Sequence, residues 1–159
     1  MSAPVDTAAF PTGGAEIDYD DEDLEGLEAL KAAARAHVAT WASAPAVRDL
    51  VLAFGIAPMI GVFLVRFAEP VARGDLAGAT EMWAVAGDLP PMCFETDDAR
   101  NPADAMRLCC AIAEDWAQTV LAGGDLSQCY PIRVEPSQEH AKMLLSRIAF
   151  LQEELVPLA

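Results

Sequence analysis

An α+β fold is what this sequence predicts: a small three-stranded antiparallel sheet with helices before and after it, in the order α-α-β-β-β-α-α. Two observations carry that expectation. Near both ends of the chain, apolar residues recur at three- and four-residue steps, the period of a helix with one buried face. The middle instead holds short runs rich in β-branched and aromatic residues, parted by Gly and Pro. The 159 residues are about one domain's worth, and 53% hydrophobic against 22% charged residues fits a chain able to bury a core.

Residues 1–20 hold Pro4, Pro11, Gly13 and Gly14 with no apolar period, so they are expected to form a disordered acidic tail ahead of a single domain over 21–159. From Asp21, the residues Leu24, Leu27, Leu30, Ala34, Val38 and Trp41 share one helical face. Acids crowd the start of that helix and Lys31 and Arg35 come later, as the helix dipole prefers. Ser43 and Pro45 open a second predicted helix, which Gly55 stops. Ile60–Phe67, Glu81–Ala86 and Met92–Thr96 read as three strands, although segment 56–70 is open between strand and helix on its period alone. Gly87–Pro91 makes the turn before the third strand. Asn101, Pro102 and Asp104 open the next helix as cap, first residue and first-turn acid, and Gly123-Gly124 ends it. A last helix starts near Pro136 or Ser137, with Ala141, Leu144, Leu145, Ile148, Leu151 and Leu155 on one stripe, and Pro157 closes it. The helices are expected to pack on one face of the sheet.

Charge is unevenly placed. The net charge is −15, from 25 acidic and 10 basic residues. Residues 1–30 contain nine acids and no base, whereas the remainder is only mildly acidic. That balance argues against direct nucleic-acid binding, which needs Lys and Arg on phosphates. The first residues lack the basic and apolar regions of a secretory signal and the arginines of a mitochondrial presequence, so the cytoplasm is the expected location. Leu50–Val65 is a run of 16 residues without charge, but it falls short of the roughly 20 a membrane span needs, and Gly55, Pro58 and Gly61 interrupt it.

Four stretches stand out within residues 60–157: Trp83–Val85, G-D-L-P-P at Gly87–Pro91, T-D-D-A at Thr96–Ala99, and E-P-S-Q-E-H-A-K-M-L-L-S-R at Glu135–Arg147. On these the chain resembles a group of short bacterial proteins of unassigned function. The resemblance implies no catalytic residues.

No spacing marks a reactive centre. Cys93, Cys109, Cys110 and Cys129 form no C-x-x-C pair, so a zinc site lacks support and buried apolar thiols are the expectation. A reactive Cys129 beside His140 is the thiol alternative. Neither His37 nor His140 sits in a motif that supplies an acid–base partner. Asp88, Glu95, Asp97, Asp98 and Asp104 cluster within 17 positions, but the twelve-residue calcium-loop pattern is absent and turn and cap roles account for such residues. Phosphate-binding and nucleophile-elbow motifs are also absent, and no cofactor is expected.

The strongest single feature is the acidic run Asp18–Asp23. Two functional classes follow. One is a non-enzymatic adaptor, or an immunity or inhibitor protein, whose Asp18, Tyr19, Asp20, Asp21, Glu22 and Asp23 meet a protein partner with a basic surface, with Tyr19 and Phe10 as apolar anchors. The other is a metal- or metabolite-binding protein or enzyme with a carboxylate site near Asp88, Asp97 and Asp98. Self-association through apolar residues 50–67 is a third expectation.

Overall fold

Helix α1 (Asp21–Ala39) begins at a capping box. The Asp20 carboxylate accepts from the Asp23 amide at 2.8 Å, and the Asp23 carboxylate accepts from the Asp20 amide at 3.2 Å. Two donors at the helix start, which have no partner within the helix, are satisfied in this way. The computed structural model describes residues 4–11, 19–132 and 134–159. After α1 come β1 (Val47–Ile56), β2 (Ile60–Phe67), β3 (Glu81–Gly87) and β4 (Met92–Glu95), then α2 (Pro102–Leu121) and α3 (Gln138–Phe150). A π turn at Leu151–Leu155 and a 3-10 turn at Val156–Leu158 prolong α3, past the point where Pro157 was expected to close it. The caps of α2 and α3 fall on Asn101 and Ser137, as their sequence signals predict.

The α+β class holds, but the sheet has four strands rather than three, in the order β1-β2-β3-β4, all antiparallel. The predicted second helix, from Ser43 to Gly55, is the added strand. Its register slips between Val47 and Asp49 and again between Leu52 and Phe54. These bulges break the two-residue alternation, so that Ala53, Phe54 and Gly55 are all buried in succession. Within residues 56–70, Ile60–Phe67 is strand and residues 57–59 are the turn that joins it to β1, so the charge-free run Leu50–Val65 lies in the β1–β2 hairpin. Leu50, Ala53, Phe54, Ile60 and Val62 to Val65 of this run are buried in the interior. Among the described residues no helix is long and apolar enough to cross a membrane.

The helices cover both faces of the sheet, not one. Val62 and Leu64 of β2, Trp83 and Val85 of β3 and Phe94 of β4 point into a core shared with α2 and α3. Phe63 and Val65, together with Met82 and Ala84, point the other way, into a second core closed by Leu27, Leu30, Ala34 and Val38 of α1. β2 is therefore buried on both faces, which is why its sequence is apolar from Ile60 to Val65 with no alternation. Leu24, assigned from its spacing to the buried face of α1, is instead 49% exposed.

The tail reading also changes for the residues described. Val5 and Phe10 are buried in the core that faces α2 and α3, and the Phe10 ring lies 5.9 Å from that of Trp83. Arg100 fastens the same segment by donating to the Pro4 carbonyl at 3.2 Å.

Candidate functional site

The acidic run serves first as the start of a helix. Asp20 and Asp23 are occupied in the capping box, and the Tyr19 hydroxyl donates to the Gly55 carbonyl at 2.8 Å. Tyr19 thus pins α1 to the β1–β2 hairpin and is not an outward anchor, and Phe10 is buried. Asp18 lies outside the described residues. Asp21, Glu22, Glu25 and Glu28 stand exposed along α1, and among the described residues none of them joins an ion pair. The first turn is where the helix dipole best tolerates such charge.

The alternative carboxylate site does not come together. Asp88 follows β3, where its amide donates to the Met59 carbonyl at 2.7 Å and its own carbonyl accepts from Arg147 at 3.1 Å. Asp97 and Asp98 follow β4, at the opposite end of that strand. At about 3.3 Å per residue, four strand residues hold the two places roughly 13 Å apart. Among the described residues, no three His, Cys, Asp or Glu side chains gather where they could hold a metal ion. Cys129 and His140 also face different partners: the Cys129 thiol lies 3.6 Å from the Thr119 hydroxyl, and His140 Nδ1 lies 2.9 Å from the Glu135 carbonyl.

Sequence reasoning missed a groove along the β4 edge. After α2 the chain returns past this edge, and the Tyr130 hydroxyl both accepts from the Cys93 amide at 3.0 Å and donates to the Cys93 carbonyl at 3.1 Å. One side chain thereby satisfies both backbone groups of Cys93 on the open edge of the strand. Beyond it, Pro131 and Val134 face Ala33, Ala36 and Thr40 of α1 across a cleft of about 420 Å³. That cleft shares His37, Thr40 and Pro131 with a second of about 340 Å³ beside Trp41, Met82 and Cys93. It shares Pro90, Pro91 and Val134 with a third of about 250 Å³ reaching Met143 and Arg147. The three clefts adjoin through these shared walls and together form a groove with mainly apolar lining. The signals for it were the small residues of K-A-A-A-R-A (Lys31–Ala36) and the prolines at 90, 91 and 131, but only the tertiary fold sets them opposite one another.

The thiols of Cys93, Cys109 and Cys110 are protected rather than activated. Burial pushes Cys93 up to about 12 and Cys110 up to about 11 from an ordinary 9.0, the latter with help from the Glu114 carboxylate, and burial pushes Cys109 up as well. A nucleophilic thiol needs the opposite shift. Each raised value means that the unfolded chain gives up its proton first as the pH climbs. The contribution to stability is intact below about pH 9 and is lost from there toward pH 12, at about 1.4 kcal/mol per thiol per pH unit. Urea titrations should show stability falling above about pH 9, with a shallower fall in a Cys93→Ala/Cys110→Ala variant. A wild-type curve flat to pH 11 would contradict the assignment.

No family model, curated protein or solved structure matches the chain.

Proposed function

We propose that this is a non-enzymatic protein-binding protein, an adaptor or an immunity- or inhibitor-type protein that engages a basic surface on its partner. The observation that carries the proposal is the exposed carboxylate set Asp21, Glu22, Glu25 and Glu28, without ion pairs among the described residues, on a helix anchored at its start by Tyr19 and the capping box. Charge fixed on a rigid element steers encounter with an oppositely charged surface and can raise association rates by about 10- to 1,000-fold at low salt. The contact set shifts from the one the sequence predicts, because Tyr19, Asp20 and Asp23 are committed within the chain, whereas Glu25 and Glu28 are free to contact a partner.

The test is a comparison of the wild-type chain with an Asp21→Asn/Glu22→Gln/Glu25→Gln/Glu28→Gln variant, which keeps both capping carboxylates. In pull-downs from nuclease-treated native lysate, a basic protein is expected on the wild type and depleted on the variant. Its association with the variant should be at least tenfold slower at low ionic strength, with a flattened salt dependence. Equal capture and equal kinetics would sink the proposal.

A further inference from the structure

The groove along β4 has the geometry to take a specific kind of ligand, and three observations narrow it. First, the β4 edge offers little to an added strand. Pro90 and Pro91 have no N–H, and both outward groups of Cys93 are held by Tyr130. Second, the facing wall is a helix with small side chains. At 100° per residue, Ala29, Ala33, Ala36 and Thr40 fall within about 40° of one line along α1, and all four are exposed. Small side chains in such a row let a second helix axis approach closely, to about 8 Å. Third, the same line continues toward acid. Glu22 lies on it and Glu25 about 60° to one side, roughly 12–16 Å from Ala33 along the axis. Lys31 and Arg35 sit about 140° or more around the helix from that line.

From these we infer that the groove binds an amphipathic helix of a partner protein lying along α1, with its apolar stripe on Ala33, Ala36, Pro131 and Val134 and with Lys or Arg residues beside Glu22 and Glu25. The inference rests on the protein-binding role proposed above and specifies the chemistry of the partner. A second copy of this chain is the less suitable occupant, because a net charge of −15 on each copy opposes their approach.

Three synthetic 18-residue peptides test it by fluorescence anisotropy. The first has Leu at i, i+3, i+4 and i+7 spacing with Lys grouped at one end. The second has Glu in place of Lys, and the third has the first peptide's composition with the Leu stripe scrambled. The full chain is expected to bind the first at least tenfold more tightly than the others. Ala33→Arg should weaken that binding at least tenfold, whereas Ala111→Arg, on an exposed position of α2, should leave it unchanged. Thermal melts of both variants check that they fold. Equal binding by the two Arg variants, or by the striped and scrambled peptides, overturns the groove. If Glu22→Lys/Glu25→Lys still weakens binding in that case, the acidic protein-binding role survives without the groove. Absence of binding by the first peptide overturns the groove inference, while the pull-down above decides the broader role separately. A photo-crosslinker placed at position 33 that captures a second copy of the chain instead of the first peptide also overturns it.

Discussion

Replacing Trp83 with alanine is expected to cost about 3–5 kcal/mol, which would consume a large share of a stability that is typically 5–15 kcal/mol. Trp83 is fully buried in β3, opposite Leu64 on β2 and Phe94 on β4. Its loss empties the centre of the core between the sheet and helices α2 and α3. The indole N–H also donates to the Ala99 carbonyl at 2.7 Å, fastening the turn between β4 and α2. Trp83→Phe keeps most of the apolar volume but leaves that carbonyl without its donor, so a smaller loss of about 1–3 kcal/mol is expected. Urea unfolding followed by circular dichroism measures both. A loss under about 1 kcal/mol for Trp83→Ala would mean that the core is not built around this ring. A double-mutant cycle with Phe10→Ala should return a coupling of about 0.5–1.5 kcal/mol if residues 4–11 hold their place against the sheet.

Gly87→Ala is the second large effect, expected at about 3 kcal/mol. Gly87 ends β3 with φ of 135°, where a side chain is strained. A Cβ there would also press on the Met59 carbonyl and come within 2.8 Å of the Ile60 Cα. Both obstacles are backbone and cannot rotate aside. The clash falls where the β1–β2 hairpin tip meets the turn after β3, a junction held by the Asp88 amide on Met59. Gly74 and Gly78 supply the control. Each has φ of 88°, but a Cβ there meets nothing within 4 Å. Alanine at either should cost only the backbone strain, about 1–2 kcal/mol. Thermal or urea unfolding of the three variants separates strain from collision, and equal losses at 87 and 74 would refute the close approach.

Where local signals act alone, the sequence was enough. Asn101-Pro102, Ser137 and the acids after Asp20 mark helix starts by side-chain chemistry that needs no distant partner, and all three helices begin there. β2 to β4 were legible from short runs with β-branched or aromatic residues between turns, although the period of β2 alone left a helix open. β1 was not, because its bulges erase the alternation and its strand character comes from pairing with β2. The second helical layer was hidden for a related reason: a strand buried on both faces has no pattern to say which side a helix covers. The acidic face could be read directly as charge. The roles of Tyr19 and Tyr130 could not, since Gly55 is 36 positions from Tyr19 and Cys93 is 37 from Tyr130. The groove likewise depends on three segments far apart in the chain.

The two-sided sheet also sets an order of events during synthesis. α1 is made before the strands, so the face carrying Phe63 and Val65 has its cover waiting as β2 emerges. The face carrying Val62 and Leu64 has only Val5 and Phe10 to cover it until residues 102–155 follow. At about 5–20 residues per second, that leaves most of a sticky apolar sheet face uncovered for several seconds on every ribosome making the chain. The flank of carboxylates already present on α1 gives each nascent chain a repulsive charge during that interval, which would discourage neighbouring chains on one polysome from adhering to one another.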